Sequence, residues 1–186
     1  ALIDEEFLAL AFPEIAENAN VFANDTQINN EITDENILHE NTNINDIRLI
    51  KLPPLIPLET LSYQIQGLNY KQRKYLQHIL QNLKESRTFY EFVGGGAGVG
   101  KSRLISTIFQ AVLHKCNSVP GSNPDTIKVL LCAPTGKAAY GIGGCTLHSI
   151  FSLPVNQSSN ELRPLNADTL NTIYSKLIDL KLIIID

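Results

Sequence analysis

Eight consecutive residues near the middle of the chain have the types and spacing of a loop that binds phosphate. They match the pattern G-x-x-x-x-G-K-[ST] and are Gly95, Gly96, Ala97, Gly98, Val99, Gly100, Lys101 and Ser102. Glycines let the backbone curl so that several N–H groups point at phosphate oxygens, and a helix that follows adds the positive end of its dipole. The eight residues therefore predict a site for the phosphates of a nucleotide.

A carboxylate after the last apolar stretch, Asp186, completes the predicted phosphate chemistry. Lys101 would carry a positive charge to the β- and γ-phosphates, and the Ser102 hydroxyl would ligate Mg²⁺. Asp186 follows Leu182–Ile185, a predicted strand that places the carboxylate at the sheet edge as a second Mg²⁺ ligand. We therefore predict Lys101 and Asp186 as catalytic residues; the alternative for Asp186 is a strand-terminal residue that faces solvent.

The elements that must hold these residues alternate between helices and strands. Apolar residues at helical spacing predict a helix from Tyr70 to Leu83, capped by Asn69, and a second helical stripe made of Leu104, Ile105, Ile108, Phe109, Val112 and Leu113. Three apolar stretches predict buried strands, Thr88–Val93, Ile127–Ala133 and Leu182–Asp186, with a helix around residues 170–180 before the last. This alternation indicates an α/β fold with a parallel sheet and helices on both faces.

Charge is distributed unevenly along the 186 residues, whose net charge is −4. Residues 1–60 contain 12 acidic and 2 basic residues, and residues 61–186 contain 7 acidic and 13 basic residues. The basic remainder is compatible with nucleic acid as a partner. Three cysteines without a C-x-x-C pair favour an intracellular location. No apolar run approaches the roughly 18 residues of a membrane span, so we expect no membrane partner.

The first 60 residues differ from the rest in composition. Nine asparagines lie between Asn18 and Asn45 among acidic residues. We predict an acidic, largely disordered segment over residues 1–60; the alternative is a segment that folds when it docks on an unknown protein. The Pro-punctuated stretch Lys51–Leu58 marks the predicted boundary, which leaves residues 61–186 as the domain. The absence of any methionine favours a fragment of a longer protein.

Four sequence blocks occur in an order that resembles a known family. The blocks are Gly94–Ser102, Ala133–Ala139, Thr146–Phe151 and Leu182–Asp186. Together they resemble the first motor domain of Pif-type (petite integration frequency) DNA helicases, the RecD-like branch of superfamily 1, which also occurs in Helitron transposons. The resemblance covers about residues 66–186.

The resemblance implies a fold, an activity and partners. The implied fold is a RecA-like P-loop NTPase domain, truncated after the Walker B strand that carries Asp186. The implied activity is ATP- and Mg²⁺-dependent, 5′-to-3′ unwinding of DNA, with single-stranded DNA and duplex junctions as partners. Roles in repair, recombination, telomere maintenance and transposition all fit, and the nucleus is the expected location if the source is eukaryotic.

The resemblance also implies roles for single residues. Gln72 matches the glutamine that reads the edge of adenine, and its alternative is a surface residue of a helix. Pro134, Thr135 and Lys137 match the block that holds single-stranded DNA, and the alternative is an ordinary helix cap at Thr135 followed by a surface lysine. His148 belongs to the next DNA-facing block, and its alternative is a structural histidine.

The chain departs from the family pattern in ways that bear on turnover. It lacks the acidic residue expected after Asp186, the later motor motifs, the arginine that completes the ATP site and the second motor domain. We therefore expect the 186-residue chain to bind nucleotide but to hydrolyse ATP negligibly.

Other functional classes stay open beside the helicase interpretation. One is a non-catalytic nucleotide- or DNA-binding module, and another is a degenerate transposon remnant. A GTPase is disfavoured because it usually needs an Asn-Lys-x-Asp segment that reads guanine, and none is present. A small-molecule kinase is disfavoured because it would need a lid rich in arginine, and only Arg163 follows Arg103.

Overall fold

The structure is a computed structural model that describes residues 52–123, 126–154 and 164–186. The predicted disorder and the predicted docking segment of residues 1–60 therefore lie outside the described residues, apart from residues 52–60. Among the residues that the structure describes, no helix is both long enough and apolar enough to cross a membrane. The helices are α1 Leu58–Gln66, α2 Tyr70–Lys84, α3 Lys101–Asn117, α4 Gly136–Gly141, α5 Leu147–Phe151 and α6 Ala167–Leu177, and the strands are β1 Val129–Ala133, β2 Cys145–Thr146 and β3 Leu182–Ile185.

The three strands form one parallel sheet in the order β2-β1-β3. Cys132 of β1 lies opposite both Cys145 of β2 and Ile185 of β3, which sets the register. β1 is buried along its whole length, as expected of a central strand with helices against both faces. The predicted α/β class is confirmed, and the predicted strands Ile127–Ala133 and Leu182–Asp186 correspond to β1 and β3.

Side chains of β1 alternate between two apolar clusters, one on each face of the sheet. Val129 and Leu131 belong to the larger cluster, to which α1, α2 and α3 also contribute. Leu130 and Cys132 belong to the other cluster, with Ile150 of α5. The prediction of helices on both faces of the sheet is therefore confirmed.

The two long helices follow the predicted periodicity. α2 begins directly after the predicted cap, Asn69, and its apolar face is buried at Leu76, Ile79 and Leu80. In the stripe predicted for α3, Leu104, Ile108, Phe109 and Val112 are buried, and Ile105 and Leu113 are partly buried. The helix predicted around residues 170–180 corresponds to α6, which begins three residues earlier because the Asn166 side chain caps the Thr169 N–H.

The prediction of a buried strand at Thr88–Val93 is wrong. The segment has no regular secondary structure, and Tyr90 and Phe92 are 94% and 97% exposed. A strand needs backbone hydrogen bonds to a neighbour. Within the described part of the chain, β3 is the outer strand of the sheet on one side, and a cleft lies between it and this segment. Apolar composition alone does not reveal whether a neighbouring strand is present.

The stretch Leu52–Pro57, here called the proline strap, is attached to α3 by its backbone. The Gln110 side chain is 3% exposed. Its Nε2 donates to the Pro54 carbonyl at 2.8 Å, and its Oε1 accepts from the Ile56 N–H at 3.1 Å. The next element, α1, buries Leu61 completely. The predicted boundary between residues 60 and 61 therefore falls inside α1.

Candidate functional site

The carboxyl ends of the three parallel strands lie at one edge of the sheet, and predicted site residues follow each of them. Pro134 and Thr135 follow β1, His148 lies two residues after β2, and Asp186 follows β3. The Asp186 N–H donates to the Cys132 carbonyl at 3.0 Å, so pairing with β1 continues as far as the residue that carries the carboxylate. The fold thus places these residues along a common edge.

The phosphate loop, residues 95–102, turns sharply into α3. Gly98 and Gly100 have φ angles of +75° and +86°, a region that residues with a Cβ rarely adopt. Gly100 is the N-cap of α3 and offers no side chain to the first N–H groups of that helix. A glycine turn that leads into an uncapped helix N-terminus has the geometry of an anion site.

The Lys101 side chain folds back over the loop. Its Nζ donates to the carbonyl of Gly95 at 2.9 Å and to the carbonyl of Gly96 at 2.8 Å. The ammonium group is therefore held beside the loop by two neutral acceptors. Phosphate oxygens are charged acceptors and form stronger hydrogen bonds, so a phosphate at the loop can take the place of these carbonyls.

A cleft of about 650 Å³ brings Lys101 and Asp186 together. Side chains of α3, β3 and the segment Thr88–Val93 also line it. Ser102 lies in the first turn of α3, is exposed, and is not among the residues that line the cleft. The structure thus unites the two residues predicted as catalytic and leaves the Ser102 hydroxyl open to solvent.

The predicted Mg²⁺ ligands are a hydroxyl and a carboxylate. Within the described residues, no group of three or more His, Cys, Asp or Glu side chains is arranged to hold a metal ion. Mg²⁺ commonly takes one or two protein oxygens and completes its shell with waters and substrate phosphates. The hard oxygen donors of Ser102 and Asp186 fit this habit, and their assignment as ligands stays a prediction.

The Gln72 side chain lies against the phosphate loop. Its Oε1 accepts from the Asn69 N–H at 3.0 Å, and the Asn69 Oδ1 accepts from the Gln72 N–H at 3.0 Å, which makes a reciprocal cap of α2. Its Nε2 donates to the Val99 carbonyl at 3.2 Å and approaches the Gly100 carbonyl at 3.5 Å. The spacing of Asn69 and Gln72 could have predicted the cap, whereas no local pattern signals the contact with the loop. The adenine role stays a prediction.

A polar cluster that the sequence did not reveal attaches the segment before the phosphate loop to α2. His78 Nε2 lies 2.5 Å from Glu91 Oε1, and Asn82 Nδ2 lies 3.0 Å from the same His78 nitrogen. The hydrogen bond with His78 lowers the pKa of Glu91. Burial, together with the hydrogen bond to Glu91, raises the pKa of Tyr75 to about 12. The cluster thus links α2 to the segment from which the chain enters the loop.

The residues predicted to bind DNA are exposed around two short helices. The Thr135 Oγ1 accepts from the Ala138 N–H at 3.3 Å, so this residue caps α4, as the alternative interpretation held. Pro134, Lys137 and His148 are exposed, and their DNA contacts stay predictions. Tyr140, which the sequence analysis missed, is 90% exposed. It lies three residues after Lys137 and therefore on the same side of α4.

Comparison with known proteins gives two consistent results. The family model for PIF1-like helicases matches residues 67–186. An ATP-dependent DNA helicase PIF4 of Trypanosoma brucei brucei is 37% identical over 94 residues, which are 50% of this chain and 10% of that protein. An ATP-dependent DNA helicase PIF3 of the same organism is 28% identical over 93 residues, again 50% of this chain and 10% of that protein. No solved structure matches the chain significantly.

Proposed function

The chain belongs to the PIF1-like helicase family, and on that premise we propose that it is the ATP-binding portion of a DNA helicase motor. The proposed fold is the RecA-like form of the P-loop NTPases, with β3 as the strand that carries the metal-binding Asp186. The observation that carries the proposal is the cleft beside the phosphate loop, which both Lys101 and Asp186 line.

Nucleotide binding would use the backbone of the loop and would change the hydrogen-bond partners of Lys101. The exposed N–H groups before and within the first turn of α3 would donate to the phosphates of ATP. Lys101 would release the carbonyls of Gly95 and Gly96 and donate to the β- and γ-phosphates instead. Ser102 and Asp186 would hold Mg²⁺, which neutralises phosphate charge when bound.

Single-stranded DNA would lie along the edge where the parallel strands end. The exposed Lys137 offers a cation to the phosphate backbone, and the hydroxyl-bearing turn at Thr135 offers backbone N–H groups. The exposed ring of Tyr140 offers a surface on which a base can stack. DNA would thus bind at the loops that follow β1 and β2, and Mg²⁺–ATP would bind beside Asp186, which follows β3 of the same sheet. The 5′-to-3′ direction and the use of duplex junctions rest on the family resemblance.

Turnover by the 186-residue chain should be very slow. Among the described residues, Asp186 and Glu91 are the carboxylates that line the cleft, and Glu91 is bound to His78. Asp186 is assigned to the metal, so neither of the carboxylates that line the cleft is free to orient an attacking water. An arginine supplied by another domain or protein is worth roughly 10³–10⁵ in rate in related phosphoryl transfers.

The experiment that tests the proposed function is an ATPase assay with and without single-stranded DNA. The 186-residue chain is compared with a longer version that continues past Asp186 through the second motor domain, each beside its Lys101→Ala variant. We expect DNA-stimulated turnover by the longer protein that Lys101→Ala abolishes, and almost none by the short chain. Absence of turnover in both would favour a remnant or a binding module, and robust turnover by the short chain would refute the account of its active site.

A further inference from the structure

The contact between Gln72 and the phosphate loop joins a helix that is packed in the core to a loop that is exposed. α2 is anchored in the core by Leu76, Ile79 and Leu80. The loop, by contrast, is exposed from residue 95 to residue 99. The hydrogen bond from Gln72 Nε2 to the Val99 carbonyl at 3.2 Å therefore ties the end of the exposed loop to the packed part of the domain.

The hydrogen-bond partners fix the orientation of the Gln72 amide. Only Oε1 can accept the Asn69 N–H, and only Nε2 can donate to the loop carbonyls. The loop is shaped for this approach, because a Cβ at Gly100 would lie 3.1 Å from Nε2. Gly100 thus suits its positive φ, and a side chain at this position would force the Gln72 amide to shift by a few tenths of an ångström.

The contact determines where one loop N–H points. In a planar trans peptide the C=O and the N–H point in opposite directions. Since Gln72 holds the Val99 carbonyl, the Gly100 N–H of the same peptide is directed away from α2. Because this amide is already fixed before the ligand binds, less conformational entropy is lost when a phosphate binds to it.

From these contacts we propose that Gln72 is a positioning residue for the phosphate loop, acting on any nucleotide whatever its base. The proposal rests on the proposed function in so far as phosphates bind at this loop. It differs from the predicted reading of adenine, because the donor that would meet the base is the one that holds the Val99 carbonyl. It predicts that loss of the Gln72 amide also weakens the binding of ligands that have no adenine.

The test compares Gln72→Met with Asn69→Ala in the 186-residue chain. Methionine keeps the length and helix propensity of the side chain but can neither donate to Val99 nor cap Asn69. Asn69→Ala removes the Oδ1 acceptor of the same cap yet leaves both contacts of the Gln72 amide in place. The two variants therefore separate loop positioning from helix capping.

Binding is measured for three probes with Mg²⁺: ATP, GTP and inorganic tripolyphosphate. We expect Gln72→Met to weaken all three by a similar factor of about 3 to 10, the range for one neutral hydrogen bond, and Asn69→Ala to change none of them. A loss confined to ATP would show that the amide acts on the base, and an equal loss in both variants would show that it acts only as a cap. Either result overturns the proposal.

A second measurement does not depend on nucleotide. Nitrogen-15 relaxation of the ligand-free chain reports the order parameters of Val99 and Gly100. We expect them to fall in Gln72→Met and to stay unchanged in Asn69→Ala; unchanged values in both variants would overturn the proposal. If the wild type bound none of the three probes, the proposed function would fail, and the relaxation data would still decide whether Gln72 positions the loop.

Discussion

Replacing Gln110 by methionine tests whether the proline strap is part of the folded domain. The Gln110 amide makes two hydrogen bonds to the strap, at 2.8 Å to the Pro54 carbonyl and at 3.1 Å from the Ile56 N–H. The side chain is 3% exposed, so methionine would fill a similar volume but leave both strap groups without their partner. A buried polar group left unpaired costs about 1–3 kcal/mol. Because neither strap group is deeply enclosed, we expect the loss of both hydrogen bonds to cost no more than this in total. We therefore expect Gln110→Met to lower the free energy of unfolding by about 1–3 kcal/mol.

Urea unfolding followed by circular dichroism measures this change, provided that the slope of the transition is the same in both proteins. Gln66→Met is the matched control, because Gln66 is exposed at the end of α1, and a surface substitution of this kind changes stability by no more than about 0.5 kcal/mol. Equal stability of Gln110→Met and the wild type would refute the assignment of the strap to the domain. A chain that begins at residue 61 should likewise be less stable than one that begins at residue 52.

Three further predictions concern the site and its surroundings. Glu91→Gln should lower the pKa of Tyr75 from about 12 without returning it to 10.0, since burial is the largest cause of the rise; ultraviolet titration of the phenol measures it. Because folding raises this pKa, the stability that Tyr75 contributes should be lost as the pH rises from about 10 through about 12, and Tyr75→Phe should remove that loss. Asp186→Asn should weaken Mg²⁺–ATP by roughly 10-fold or more in a fluorescence titration and leave metal-free ATP nearly unchanged. Tyr140→Ala should weaken single-stranded DNA by about 1–3 kcal/mol at every salt concentration, whereas Lys137→Ala should reduce the salt dependence of binding.

Matched control variants test the predictions for Asp186 and Lys137, and a contrary result is defined for these two residues and for Tyr75. For Asp186 the control is Asp179→Asn. If Asp186→Asn weakened the binding of metal-free ATP as much as the binding of Mg²⁺–ATP, Asp186 would not act through the metal. For Lys137 the control is Lys84→Ala at the exposed end of α2, and an equal change in salt dependence would mean that only net charge matters. If Glu91→Gln left the pKa of Tyr75 unchanged, burial alone would account for the raised pKa.

Local patterns were sufficient where a structure depends on neighbours in sequence. The phosphate loop is a contiguous run, and the structure has the tight turn at Gly98 and Gly100 and the helix from Lys101 that the sequence predicts; its binding of nucleotide stays a prediction. The cap at Asn69 and the buried face of α2 are likewise local, because they depend on residues three or four apart. The parallel sheet was predicted on a different basis, because apolar strands that alternate with helices pair in parallel.

Local patterns did not reveal structure that depends on distant residues. Thr88–Val93 has the composition of a strand, yet Tyr90, Phe92 and Val93 are exposed, and no strand lies beside the segment in the described part of the chain. The proline strap has the composition of a linker, and only the Gln110 amide, more than fifty residues away, reveals that it is packed. The contact of Gln72 with Val99 spans 27 residues and has no local signature.

The central claim, that the chain binds Mg²⁺–ATP through Lys101 and the loop before it, is tested most directly by one calorimetric titration. Mg²⁺–ATP is titrated into the 186-residue chain, its Lys101→Ala variant and the control Lys84→Ala. Lys101 should exchange the Gly95 and Gly96 carbonyls for charged phosphate oxygens, a gain on the order of 1.5–3 kcal/mol. We therefore predict that Lys101→Ala weakens binding roughly 10- to 150-fold while Lys84→Ala binds as the wild type does. Equal affinity of the wild type and Lys101→Ala would contradict the claim.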